Sequence, residues 1–89
     1  MADVSAAEPP LMTTIIEEWI NHPTQTKRTA AKIAAALKTK PTGSLVESGE
    51  VLAERYGVPR SVAVQARHKL LGVGLIHRGR NRRYYTGPG

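Results

Sequence analysis

Residues 51–75 read VLAERYGVPRSVAVQARHKLLGVGL, and this stretch decides the architecture of the chain. An apolar-periodic segment runs up to Gly57, Val58 and Pro59 make a tight link, and the spacing predicts a second helix from about Arg60 to Val73. Gly57 stands where the first helix must end and the backbone must turn through a positive φ, a conformation glycine adopts most cheaply. Val58 is placed to plug the corner. On the second helix Ala63, Ala66, Leu70 and Val73 recur at three- and four-residue steps, forming one narrow apolar stripe whose alanines allow close packing. Ser61, Gln65, His68 and Lys69 stand off that stripe. The pattern is a helix-turn-helix.

In that arrangement the first helix crosses the backbone of a DNA duplex and the second lies in the major groove. Arg60, Ser61, Val62, Val64, Gln65, His68 and Lys69 are then the candidate readers. Two short helices joined at a glycine corner also occur in proteins that never touch nucleic acid, so the flanking sequence has to decide. Downstream, Gly74 stops the second helix, Leu75-Ile76 begins a strand, and Arg83-Tyr84-Tyr85-Thr86 has the aromatic and β-branched character of its partner. Between them Gly79 and Asn81 are turn residues, which predicts a hairpin. Its tip carries Arg78, Arg80, Asn81, Arg82 and Arg83. Four arginines within six residues repel one another unless an anion sits among them.

From Val46 to Thr86 the chain resembles the winged-helix DNA-binding domain of GntR-type bacterial transcription regulators. Leu52, Ala53, Glu54, Arg55, Gly57, Val58 and Arg60 stand at positions of that family's pattern, Tyr56 replaces its Phe, and Ala66, Leu70, Gly74 and Leu75 continue it. Glu47, Ser48 and Pro59 depart from the pattern's Pro-Ser and Ser. Val64 stands where Arg is usual and Arg67 where Leu is usual. The resemblance implies a winged helix-turn-helix, a transcription regulator, most simply a repressor, and an operator read differently at Val64. Regulators of this type usually carry a second, ligand-binding domain, for which 89 residues are too few. The opening Met1 and the tapering end favour a self-contained short regulator over a fragment.

Upstream, residues 1–10 read as a disordered lead ending at Pro9-Pro10. A helix is expected over residues 11–22, with Met12, Ile15, Ile16, Trp19 and Ile20 at helical spacing and Asn21-His22-Pro23 as its stop. Its apolar face, Ile16, Trp19 and Ile20 above all, must cover either its own domain or the same helix of a second chain in a homodimer. Residues 24–27 form a polar link. Ala30, Ile33, Ala34 and Leu37 mark the next helix, which carries Lys27 and Arg28 near its start as candidate phosphate contacts. Pro41-Thr42-Gly43-Ser44 is a turn, Leu45-Val46 a short strand, and Ser48 an N-cap. The expected fold is mainly α with a small β-hairpin: a winged helix-turn-helix over residues 24–86, preceded by an extra N-terminal helix and followed by an 87–89 tail.

Charge sharpens the picture. The net charge is +6, but Asp3, Glu8, Glu17 and Glu18 all precede His22, and from Pro23 onward 13 basic against 3 acidic residues leave +10. Such a domain suits a polyanion. No cysteine is present to make disulfides or thiolate zinc sites, and His22, His68 and His77 have no metal-ligand spacing. No nucleotide-cradling glycine loop or nucleophile elbow occurs. Neither enzyme, metal nor cofactor is expected, nor a small-molecule effector site. No apolar run approaches the ~20 residues of a membrane span and no signal peptide opens the chain, so a bacterial cytoplasmic location at the nucleoid is expected. The competing expectation is a winged helix used for protein interaction or assembly in a mobile element or phage, with weak DNA binding.

Overall fold

A computed structural model describes residues 10–87 of the 89. The expected lead over residues 1–9 and the last two residues of the tail lie outside the described part. Four helices and one hairpin follow in order: α1 (Pro10–Trp19), α2 (Gln25–Leu37), α3 (Gly49–Tyr56), α4 (Arg60–Gly72), β1 (Ile76–Arg78) and β2 (Tyr84–Thr86). The chain is thus mainly helical with a small antiparallel hairpin, in the order a winged helix requires, with α1 ahead of it.

The helix-turn-helix forms for the reasons its residues suggest. Ser48 caps α3, its Oγ accepting from the Val51 amide at 3.3 Å. Gly57 ends α3 at φ 64°, and the Val58 amide donates back to the Ala53 carbonyl. This closing bond spares α3 an orphan carbonyl where the chain turns. Gly74 repeats the device after α4 at φ 82°, with the Leu75 amide on the Leu70 carbonyl.

Along α4, Ala63, Ala66 and Leu70 are completely buried. They meet Ala30, Ile33, Ala34 and Leu37 of α2 in one core that also takes in Leu52, Val46, Leu75 and Ile76. Alanines on both helices let α2 and α4 approach closely, so the helices themselves fill much of the interior. Within the chain, α1 lays part of its apolar face on its own domain. Met12 and Ile15 are buried in the core, and Ile16 and Trp19 pack against its edge.

β1 and β2 pair antiparallel, Ile76 opposite Thr86 and Arg78 opposite Tyr84. Leu45 adds a bridge to Tyr85 on the other edge of β2, and the Val46 amide donates to the Tyr84 carbonyl at 2.8 Å. Buried Thr86 fastens this edge: its Oγ1 donates to the Pro41 carbonyl and accepts from the Ser44 amide.

Several boundaries differ from the sequence reading. α1 stops at Trp19 rather than at residue 22, and Pro10 lies in its first turn, where proline is tolerated. The expected polar link at 24–27 is largely helix: α2 starts at Gln25, and Thr26 turns inward instead of capping. Leu75 and Arg83 fall just outside the strands.

Candidate nucleic-acid interface

α4 is fixed by its buried stripe, so its remaining sides face solvent or neighbouring elements. Arg60 and Ser61 open the helix and are exposed, as are Gln65, His68 and Lys69, while Val62 is half-buried. Arg60 is the first residue of the helix, directly after the N-cap Pro59. Gln65 is partly engaged, its Oε1 accepting from Thr26 Oγ1 at 3.4 Å.

Val64 does not fit its expected role as a reader. It lies on α3 at Gly49, so close that a Cβ built on that glycine would stand 2.6 Å from Val64 Cγ2. The residue is packing between the two helices of the motif, and buried Gly49 is the small partner that admits it.

Arg67, on the adjacent flank, fills the place where the resembled pattern has Leu. Its guanidinium lies 4.4 Å from the centroid of the Tyr84 ring, and Nη1 donates to the Glu47 carbonyl at 3.2 Å. Nε is buried without a hydrogen-bond partner among the described residues. One side chain therefore joins α4, the approach to α3, and β2. The sequence signal for it was the departure from the pattern itself.

The hairpin brings Arg78, Arg80, Arg82 and Arg83 to one exposed tip. The Gly79 amide donates to the Arg83 carbonyl and the Arg82 amide to the Gly79 carbonyl, closing a tight turn. Asn81 is a structural member of that turn rather than a free contact. Its Oδ1 accepts from the Arg83 amide, and its Nδ2 donates to the Tyr85 hydroxyl at 2.8 Å. Gly79 is needed for space: a Cβ there would come 2.8 Å from the Tyr85 ring. The positive φ of the turn falls on Arg82 instead, at 67°, a conformation that costs a non-glycine residue about 1–2 kcal/mol. His77 stacks on Tyr85, and its Nδ1 lies 2.8 Å from the Gly87 carbonyl.

Lys27 and Arg28 are placed differently from each other. Arg28 reaches back to the His22 and Pro23 carbonyls at 2.7 and 2.8 Å, locking the link between α1 and α2. Both bonds use Nη1, so part of the guanidinium of this expected phosphate contact is committed to the link. Lys27 stays half-exposed with its ammonium 5.4 Å from the centroid of the Trp19 ring.

Among the described residues the one ion pair is Arg55–Glu47, a two-point contact beside α3 with Nε–Oε1 at 2.9 Å. Glu47 raises the Arg55 pKa through that hydrogen bond, and burial raises that of Tyr56 next to it. Among the described residues the arginines of the hairpin have no carboxylate partner. Among the described residues no three His, Cys, Asp or Glu side chains gather where a metal ion could sit, and no helix is long and apolar enough to cross a membrane. Compared with protein-family models, curated proteins and solved structures, the chain matches none of them.

Proposed function

We propose that this chain is a winged-helix domain that binds double-stranded DNA and regulates transcription, without catalysis or cofactor. α4 enters the major groove with Arg60 and Gln65 toward base edges, and the wing lies on phosphates or in a neighbouring minor groove. The observation that carries this reading is the wing tip: four exposed arginines on a hairpin, with no carboxylate partner among the described residues. Close-packed cations gain most from a polyanion, because each phosphate they neutralise releases condensed counterions. The GntR resemblance points the same way and makes a bacterial repressor at the nucleoid the simplest role, since occupying a site is enough for repression. Because α1 packs on the chain's own core, the reading does not rest on a homodimer.

The test is duplex binding across a salt series. Neutralising about five phosphates gives a slope of roughly −4 to −5 in log affinity against log salt. A slope near zero would sink the proposal. In that event the second reading, a protein-interaction or assembly module of a mobile element or phage, has a specific surface in its favour. Glu47, Glu50 and Glu54 gather on and before α3, beside Leu45 and Val51, which are 46% and 42% exposed.

A further inference from the structure

An open cleft of about 600 Å³ lies between the end of α1, the first turns of α2 and the outer side of α4. It is lined by Trp19, Lys27, Gln65, His68, Lys69, Gly72 and Val73, with no carboxylate among them. Three features suit it to an anionic strand. Lys27 and Lys69 put two ammonium groups on opposite walls, one from α2 and one from α4. The Trp19 ring holds the Lys27 ammonium over its face, which restrains a side chain that otherwise carries about 2 kcal/mol of rotamer entropy. Thr24 leaves the start of α2, the helix that carries Lys27, without a side-chain cap, and an uncapped helix start favours anions.

We propose that this cleft is a second DNA contact, taking the phosphate backbone of one strand that flanks the bases met by α4. Lys27 and Lys69 neutralise phosphates, and the His68 ring supplies a hydrogen-bond donor, while Gln65 marks the side of the cleft that passes into the groove. Trp19 is a positioning residue for Lys27. The proposal rests on the duplex-binding reading above. It is tied to it by geometry, because Gln65 and His68 belong both to the cleft and to the exposed side of α4. A wall of α2 beside α4 extends the contact past the groove, as the wing extends it from the other end of the helix.

Trp19 is the chain's only tryptophan, so tryptophan emission comes from this one corner, where the cleft meets the edge of the core. The full chain is titrated with a short mixed-sequence duplex and, separately, with a polyglutamate peptide. Duplex binding is followed in parallel by gel shift. The expected result is a change in Trp19 emission whose midpoint coincides with the gel-shift midpoint, with polyglutamate at equal charge leaving the emission unmoved. Lys27→Ala and the more exposed Lys69→Ala should each weaken duplex binding several-fold and reduce the salt slope by about one. A duplex that binds with unchanged emission and an unchanged slope in both variants overturns the cleft assignment while leaving DNA binding intact. Emission that answers to polyglutamate but not to duplex makes the cleft a protein-docking site and overturns it as well. Failure of the duplex to bind at all removes the reading on which the cleft assignment rests.

Discussion

α4 and the hairpin both present basic side chains, yet they are held by different forces. α4 is seated by Ala63, Ala66 and Leu70, all fully buried, and burial of apolar surface has no preferred direction. Its outward side chains can change without disturbing what holds it. The hairpin has three-residue strands; Ile76 anchors its base in the same core, and the remainder depends on directional contacts: Thr86 to Pro41 and Ser44, Asn81 to Tyr85, Arg67 on Tyr84. The element suited to reading bases is therefore the one whose position is insensitive to its own surface. The element suited to gripping phosphates is set, beyond its Ile76 anchor, by a handful of polar bonds, and that is where substitutions should move it.

The comparison is tested most severely at the two anchors. Leu70→Ala opens a cavity in the centre of the core and should cost about 2–5 kcal/mol in denaturant unfolding. Thr86→Val keeps the shape but removes the Thr86 hydroxyl from the Ser44 amide and the Pro41 carbonyl, which keep each other and the Ser44 hydroxyl as partners, so the loss should be about 0.5–1.5 kcal/mol. Hydrogen exchange distinguishes the two further. Leu70→Ala should speed exchange throughout the helices, whereas Thr86→Val should speed it in the hairpin amides, such as Gly79 and Thr86, before α4 responds. Equal and global acceleration in both variants would mean that hairpin and helix unfold as one unit.

The same contrast explains what the sequence could disclose. The cap at Ser48, the left-handed Gly57 and Gly74, and the buried stripe of α4 all act within a few residues, so local spacing reveals them. Val64 on Gly49, Arg67 on Tyr84 and Thr26 on Gln65 join residues 15, 17 and 39 apart, and no periodicity encodes them. The wing failed in a more instructive way. Gly79 and Asn81 mark a turn correctly, but glycine is there to clear the Tyr85 ring, asparagine to brace the turn, and the positive φ falls on Arg82. Residue type located the turn, and only the fold distributes the tasks within it. The cleft at Trp19 was hidden for a similar reason, since its walls come from three helices.

Within the DNA-binding proposal, reading and gripping should fail differently. Arg60→Ala or Gln65→Ala should cost about 1–3 kcal/mol on the preferred site and leave random duplex nearly unaffected, because an arginine or glutamine at a base edge discriminates by pairing. Arg82→Ala should weaken every sequence alike and reduce the salt slope by about one. Arg82→Gly adds a control: it removes the same charge while relieving the positive φ, so binding falls as in Arg82→Ala but the melting temperature does not. If Arg82→Ala abolished preference while Arg60→Ala weakened all sequences equally, the roles of helix and wing would be exchanged.

The smallest effect on stability, and the sharpest probe of how the two regions are joined, is expected at Arg67. Its stack on Tyr84 and its bond to the Glu47 carbonyl favour the folded state, but desolvating a guanidinium opposes it, and the buried Nε goes unpaired. These contributions are of similar size, and leucine fills the site with apolar atoms in place of an under-satisfied cation. Arg67→Leu should therefore change unfolding free energy by no more than about 1 kcal/mol, with a gain as readily as a loss. Arg67→Ala, which leaves a void, should cost more. Without the planar stack, however, Tyr84 and the wing behind it are no longer held at a set angle to α4. Duplex affinity should then fall for all sequences while the salt slope stays where it was, since no phosphate contact has been removed. A slope reduced by about one, as for Arg82→Ala, would show that Arg67 itself reaches the backbone and that the hairpin holds its angle without it.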